Sequence, residues 1–70
     1  MSPQLTVTVN GERRELPAGT TLAAVVAELT RANGGVAAAV NEAVVPRGSW
    51  DATPLREADR VEILTAVQGG

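Results

Sequence analysis

The chain has no cysteine, histidine, phenylalanine or tyrosine, and all six of its basic residues are arginine. Without cysteine it cannot form a disulfide, a thiolate metal site or a thiol nucleophile. Without histidine it lacks the side chain best suited to acid–base catalysis near neutral pH. Serine occurs only at Ser2 and Ser49, and no lysine or histidine is present to activate either hydroxyl. We therefore expect that the chain is not an enzyme in its own right.

The charges are few and scattered. Eight acidic residues and six arginines give a net charge of −2, and Trp50 is the only aromatic residue. A nucleic-acid-binding domain usually has a basic face, often with stacking rings, so we expect no nucleic-acid partner. No apolar run approaches the roughly 18 residues that a membrane-spanning helix needs, and residues 1–4 lack the blocks of a signal peptide. We therefore expect a cytoplasmic protein that does not contact a membrane.

The first part of the chain predicts a β-hairpin. In Leu5–Val9, apolar residues alternate with threonine, which is typical of a half-buried strand. Asn10-Gly11 follows, and both residues tolerate the positive φ angles of a two-residue hairpin turn. Residues 13–16 should then form a short, polar strand at or near an edge of the sheet.

One amphipathic helix is predicted next. Thr20 or Thr21 is a suitable N-cap, because a threonine hydroxyl can accept a hydrogen bond from the first helical turn. The helix should end near Ala32, and residues 33–35, Asn-Gly-Gly, suit the left-handed conformation that often follows a helix. Four apolar residues recur at helical spacing and should face the core: Leu22, Val25, Val26 and Leu29.

The second half returns to extended structure. Val36–Val40 is bounded by glycines and by a turn, and it is too short for an independent helix, so we interpret it as a strand. Residues 43–45 should form another short strand. Residues 47–54 should be irregular, and Leu55 should be buried. The last strand should cover residues 60–67.

These elements follow one another in the order β-β-α-β-β-β. One helix must then cover one face of a mixed sheet of four or five strands, with the first and last strands side by side at its centre. This α+β arrangement is the β-grasp, or ubiquitin-like, fold. A chain of 70 residues is one small domain. We assign residues 1–67 to that domain and residues 68–70 to a flexible C-terminal tail.

The tail consists of Gln68, Gly69 and Gly70, where the sequence ends. Two residues without side chains make a narrow tail that can enter a channel too tight for any Cβ atom. The terminal carboxylate is ionised at neutral pH and is a poor electrophile, so it must be activated, for example by adenylation. The alternative is that the di-glycine end is incidental, as many termini are.

Two stretches resemble the sulfur carrier proteins of thiamin biosynthesis, the ThiS family. V-A-A-A-V-N-E-A-V-V-P-R-G-S-W, residues 36–50, is similar to that family's middle motif. R-V-E-I-L-T-A-V-Q-G-G, residues 60–70, is similar to its last strand and di-glycine end. The early Asn-Gly and Thr-Leu pairs match in order and spacing. One departure is Ala58, where the family usually has glycine; the turn there either does not need a positive φ or is slightly strained.

The resemblance implies a mechanism. A ubiquitin-activating-type adenylyltransferase would use ATP and Mg²⁺ to adenylate the Gly70 carboxylate. Sulfur drawn from cysteine through a desulfurase would displace AMP and leave a thiocarboxylate. A thiazole synthase would then take the sulfur for the thiazole ring of thiamin. Gly69 and Gln68 would thread Gly70 into these partners, and the chain itself would hold no metal and no cofactor.

Two other functions stay open. One is a related role within the same fold: a sulfur carrier for molybdopterin or another cofactor, or a modifier that forms an isopeptide bond to lysine. The Val-Pro-Arg…Trp stretch favours thiamin over molybdopterin. The other is a β-grasp interaction module whose di-glycine end has no role.

A docking surface is expected beside the tail. Strand alternation places Leu64 and Ala66 on the face opposite Ile63. If the helix covers the Ile63 face, both residues point outwards together with Val44 or Val45, of which we assign Val45 to the set. Such an exposed apolar surface would bind the partner enzymes. The alternatives are a different strand register or loops that cover these residues.

Three further side chains have competing interpretations. Trp50 would cap the core, or it would anchor a partner. Arg47 would be a solvated loop residue, or it would pair with an acidic partner surface. Asp59 should stabilise the turn before the last strand.

Overall fold

Five strands form one mixed sheet, and an α-helix packs across one of its faces. The computed structural model describes residues 3–30 and 35–65. Its elements in chain order are β1 (Gln4–Val9), β2 (Glu12–Pro17), α1 (Leu22–Leu29), β3 (Val36–Val40), β4 (Ala43–Val45), a 3₁₀ helix (Arg47–Ala52) and β5 (Arg60–Thr65).

The strand order across the sheet is β2-β1-β5-β3-β4. The neighbours β1 and β5 run parallel, and the other three pairs are antiparallel. The first and last strands of the described chain therefore lie side by side, with β5 in the middle of the sheet. This is the α+β, β-grasp arrangement that the element order predicts.

The β1–β2 hairpin has the predicted turn. Asn10 has a φ of 52° and Gly11 a φ of 84°, the pair of positive angles that a two-residue turn of matching twist requires. The turn sets the register, in which Val9 lies opposite Glu12 and Val7 opposite Arg14. Both valines of β1 thereby face the core.

The helix begins where predicted but ends earlier. The Thr21 hydroxyl oxygen accepts a hydrogen bond from the Ala24 amide at 3.3 Å, so Thr21 is the N-cap. The predicted end near Ala32 is wrong, because Thr30 is already extended, with a φ of −149°. A β-branched residue has low helix propensity, which favours an end at this position. Of the predicted cap at residues 33–35, residues 33 and 34 lie outside the described residues, and Gly35 has a φ of 67°.

The core lies between α1 and the inner face of the sheet. Leu22 is fully enclosed, Val25 and Val26 are buried beside it, and Leu29 at the helix end is 38% exposed. Burying a side chain of this size contributes about 1.5–3 kcal/mol to the free energy of unfolding. The buried residues are Val7, Val9, Leu16, Leu22, Val25, Val26, Ala38, Trp50, Leu55, Val61 and Ile63.

Trp50 closes one end of the core. It lies in the 3₁₀ helix of residues 47–52, a stretch expected to be irregular, and it is buried. Its indole Nε1 donates a hydrogen bond to the Val45 carbonyl oxygen at 2.8 Å. The interpretation of Trp50 as a core residue is confirmed, and so is the burial of Leu55.

The turn before β5 depends on Asp59 and Ala58. One carboxylate oxygen of Asp59 accepts from the Arg56 amide at 2.8 Å, and the other accepts from Asn41 Nδ2 at 2.9 Å. The stabilising role expected of Asp59 is therefore confirmed. Ala58 has a φ of 70°. Of the two possibilities raised by the missing glycine, the strained turn is the one observed.

Candidate functional site

The strand that leads towards the di-glycine end, β5, is the central strand of the sheet. β5 pairs with β1 through Arg60 and Val61 on one side, and with β3 from Val61 to Thr65 on the other. Gln68, Gly69, Gly70 and Ala66 lie outside the described residues, as does the predicted continuation of the strand to residue 67. The structure therefore defines the chain as far as Thr65 and the surface next to that end of β5.

Alternation along β5 separates two faces of the sheet. Ile63 points towards α1 and is 6% exposed, whereas the next residue, Leu64, points away and is 71% exposed. The outward orientation predicted for Leu64 is confirmed. Because α1 covers only the inner face, the opposite face is available for contact with another protein.

Four apolar residues meet on that outer face. Ala37 of β3 pairs with Leu64, and Ala39 of β3 pairs with Val44 of β4. We call Ala37, Ala39, Val44 and Leu64 the outer-face patch. Val44 is 76% exposed, so the two large side chains of the patch are both open to solvent. The alanines between them form the floor of a shallow depression of about 300 Å³.

Acidic side chains border the patch. Glu42 and Glu62 both line the depression. Glu42 also forms an exposed ion pair with Arg60, with 3.6 Å between the guanidinium nitrogen and the carboxylate oxygen. An exposed pair of this kind contributes little to stability. An apolar centre with carboxylates at its border is suited to a partner surface that is apolar at its centre and basic at its rim.

The assignment of Val45 to this surface is wrong. Val45 pairs with the buried Ala38 and packs against the core from the helix side. Val44, the other residue considered, occupies the outer position. The signal that could have decided between them is the turn at Asn41 and Glu42, whose φ angles are 52° and 73°. A two-residue turn of this type sets Val44 opposite Ala39, and the alternation then determines the faces.

Sequence reasoning also missed the floor and border of the patch. Ala37, Ala39, Glu42 and Glu62 were not assigned to the docking surface, although strand alternation would have placed them there once the register was known. Among residues 3–30 and 35–65, no group of three acidic, histidine or cysteine side chains is arranged to hold a metal ion. No helix in the same part of the chain is long and apolar enough to cross a bilayer.

Comparison with known proteins assigns the chain to a family. The family model described as "ThiS family" matches residues 7–70, which includes all of the elements after the start of β1. The chain belongs to the ThiS family.

A solved ThiS structure has the same fold. The crystal structure of the thiamine biosynthesis protein ThiS from Geobacter metallireducens superposes with a TM-score of 0.71 at 28% sequence identity. The similarity covers 94% of this chain and 100% of that one. The β-grasp fold of this chain is therefore also the fold of that ThiS structure.

A second relative is much longer. The thiazole synthase of Magnetococcus marinus is 40% identical to this chain over 62 residues, which are 89% of the chain. The chain spans about one fifth of that protein, 19% of its length. A region similar to this ThiS-family chain is thus part of a polypeptide named as a thiazole synthase.

The structure explains the Val-Pro-Arg…Trp motif that carries the family resemblance. Pro46 has a φ of −60° and precedes the 3₁₀ helix, which suits the fixed φ of proline. The Arg47 guanidinium carbon lies 5.9 Å from the centre of the Trp50 ring, at the outer limit of a cation–π contact. In this ThiS-family chain the motif ends β4 and places the indole over the core.

Proposed function

We propose that this ThiS-family protein is a sulfur carrier of thiamin biosynthesis, acting in the cytoplasm, and that its reactive group is the α-carboxylate of Gly70. The observation that carries the proposal is the family match, which extends over residues 7–70 and so includes the di-glycine end. The placement of β5 at the centre of the sheet supports it, because the strand preceding the tail is held on both sides.

The chemistry needs three displacement steps. A carboxylate oxygen of Gly70 attacks the α-phosphorus of ATP, and pyrophosphate leaves. A persulfide on a partner protein then attacks the acyl carbon of the adenylate, AMP leaves, and the product is an acyl disulfide. A thiol attacks the partner's sulfur in that disulfide, so that the two thiol sulfurs form a disulfide and the thiocarboxylate is released. ATP and Mg²⁺ belong to a ubiquitin-activating-type adenylyltransferase, and the sulfur comes from cysteine through a desulfurase. The carrier contributes the carboxylate and a narrow approach to it.

We assign the outer-face patch to docking of the adenylyltransferase. Val44 and Leu64 supply exposed apolar area, and Leu64 immediately precedes the last described residue of β5. A partner that binds this patch is brought next to the end of β5, from which the chain continues towards the tail. Binding of the partner at the patch therefore also raises the effective concentration of the Gly70 carboxylate at that partner.

The acceptor that we propose for the sulfur is a thiazole synthase. Support comes from the Magnetococcus marinus relative, in which a region similar to this chain occurs within a protein named thiazole synthase. Two proteins that act on one another gain effective concentration when they are joined in one chain.

Intact-mass spectrometry tests the carrier function. The protein is co-expressed with the adenylyltransferase and the desulfurase, and its mass should rise by the difference between one sulfur and one oxygen atom. A variant lacking Gly70 is the matched control and should fold normally without gaining that mass. If the unsubstituted protein never shows the thiocarboxylate with an active partner present, or if the shortened variant also forms it, the proposal is wrong.

The same preparation separates thiamin from the other pathways. Thiocarboxylated carrier is mixed with thiazole synthase and its remaining substrates, and thiazole formation should require the thiocarboxylate. If the thiocarboxylate forms but no thiazole appears, the carrier serves another cofactor. If a stable conjugate to lysine accumulates instead, the protein is a modifier.

A further inference from the structure

The side chain of Asn10 makes an unusual contact with the strand that leads to the tail. Its Oδ1 accepts a hydrogen bond from the Ile63 amide at 2.8 Å, and its Nδ2 donates to the Ile63 carbonyl oxygen at 3.1 Å. Its own backbone amide donates to the Val61 carbonyl oxygen at 2.8 Å. Asn10 therefore hydrogen-bonds to Val61 and Ile63, two inward-facing residues of β5, although Ile63 is 53 positions away in the sequence.

The contact between the Asn10 side chain and Ile63 takes the place of a backbone hydrogen-bonded pair between β1 and β5. Backbone pairing between β1 and β5 covers Thr8 with Arg60 and Val9 with Val61. After Val9 the chain turns away, because Asn10 begins the hairpin turn with a φ of 52°. A carboxamide has one donor side and one acceptor side, as a peptide group has. It thus continues the ladder to Ile63 where β1 can no longer do so.

The two sides of β5 are consequently held differently near the end of the strand. On the β3 side, backbone pairing continues through Leu64 to Thr65, which lies opposite Val36. On the β1 side, within the described residues, the Asn10 carboxamide is the interaction that follows the last backbone pair. Removing the carboxamide would leave the Ile63 amide and carbonyl groups without this hydrogen-bond partner. The end of β5 would then be paired only with β3.

We propose that Asn10 is a positioning residue for the reaction at Gly70. Its carboxamide holds the end of β5 in a constant orientation, so that the chain leaves Thr65 from a defined point relative to the outer-face patch. The inference rests on the proposed function, since it concerns delivery of the carboxylate to the partner. Reaction rates depend steeply on such placement, and a shift of about 1 Å can cost up to a hundredfold in rate.

The chain contains a matched control. Asn41 also has a φ of 52° and also starts a two-residue turn. Its Oδ1 accepts from the Arg60 amide at 2.9 Å, and its Nδ2 donates to an Asp59 carboxylate oxygen at 2.9 Å. Asn41 thus makes the same number of side-chain hydrogen bonds to the region of β5, but at the end of the strand remote from the tail.

The test compares Asn10→Gly with Asn41→Gly. Glycine accepts positive φ at both turns, so each variant loses the carboxamide without adding backbone strain. Both should lose similar thermal stability and keep the native circular dichroism. With the adenylyltransferase, Asn10→Gly should lower kcat about tenfold with a smaller change in KM, because the outer-face patch stays attached through β3. Asn41→Gly should leave kcat within about twofold.

A second variant and a direct measurement complete the test. Asn10→Asp keeps the size and the turn but loses the donor to the Ile63 carbonyl, so it should share the kcat defect. Backbone ¹⁵N order parameters of Leu64 and Thr65 should fall in Asn10→Gly and not in Asn41→Gly. Equal kcat in the two glycine variants, or unchanged order parameters, would overturn the proposal. If the unsubstituted protein is not adenylated at all, the proposed function fails, and the order parameters alone decide whether Asn10 holds the strand end.

Discussion

Ala58 has a backbone conformation that residues other than glycine, asparagine and aspartate rarely adopt. Its φ is 70°, and its amide donates a 2.7 Å hydrogen bond to the Thr6 carbonyl oxygen. The left-handed region costs an alanine roughly 1–2 kcal/mol, because Cβ approaches the following carbonyl oxygen. The bond to β1 and the Asp59 contacts hold the turn in this conformation despite the cost.

Replacing Ala58 with glycine should therefore stabilise the protein. Relief of the Cβ contact exceeds the extra entropy of glycine in the unfolded chain, and we expect a gain of about 0.5–1 kcal/mol. Urea unfolding monitored by Trp50 fluorescence measures it. As a control, Ala43→Gly on the exposed strand β4 should lose a similar amount, about 0.5–1 kcal/mol. A loss of stability in Ala58→Gly would show that the turn is not strained.

At the scale of elements, α1 is short enough to depend on its cap. The helix covers Leu22–Leu29, eight residues, and an isolated helix of that length is not stable in water. Two interactions set its start. The Thr21 hydroxyl caps the Ala24 amide, and the Leu22 amide donates to the Thr53 carbonyl oxygen at 2.8 Å. The buried side of the helix supplies the rest of its stability.

Thr21→Ala should destabilise the protein by about 1 kcal/mol, because the Ala24 amide loses the hydroxyl acceptor and keeps only the Thr21 carbonyl oxygen, at 3.1 Å. Thr21→Ser keeps the hydroxyl and should recover most of that loss. Chemical denaturation of the three proteins measures the difference. If serine and alanine are equally destabilising, the threonine methyl group matters and the hydroxyl does not.

At the scale of the whole molecule, the two faces of the sheet have different environments. One face is covered by α1, and the other presents the outer-face patch with Glu42 and Glu62 at its border. Leu64 and Leu29 are both exposed leucines, but they lie in different layers of the structure. Replacing each leucine with glutamate in turn separates an effect on docking from the general effect of a new surface charge.

Leu64→Glu should leave the fold intact and reduce kcat/KM for adenylation at least about tenfold, since it removes an exposed apolar contact and adds charge to an acidic border. Leu29→Glu introduces the same change on the helix and should leave adenylation within about twofold. Steady-state kinetics with the carrier as the varied substrate measure both. Equal kinetics for the two variants would contradict docking through the outer-face patch.

The order of elements, the Asn10-Gly11 turn, the Thr21 cap and the alternation of β5 could all be predicted from the sequence. Each depends on residues that are near one another in the chain: apolar spacing, turn-forming residues and a capping hydroxyl. Strand alternation also predicts the outward orientation of Leu64, and the motifs in residues 36–50 and 60–70 carry the resemblance that the family match confirms. The di-glycine end was also recognised in this way, and its role stays a prediction.

The early end of α1, the inward position of Val45 and the strained Ala58 required the tertiary structure. So did the Asn10–Ile63 contact, whose partners are 53 positions apart. Sequence periodicity determines which residues share a face of one strand, because side chains alternate along it. Only the register between strands decides which faces meet, since a shift of one residue exchanges the two sides of the sheet.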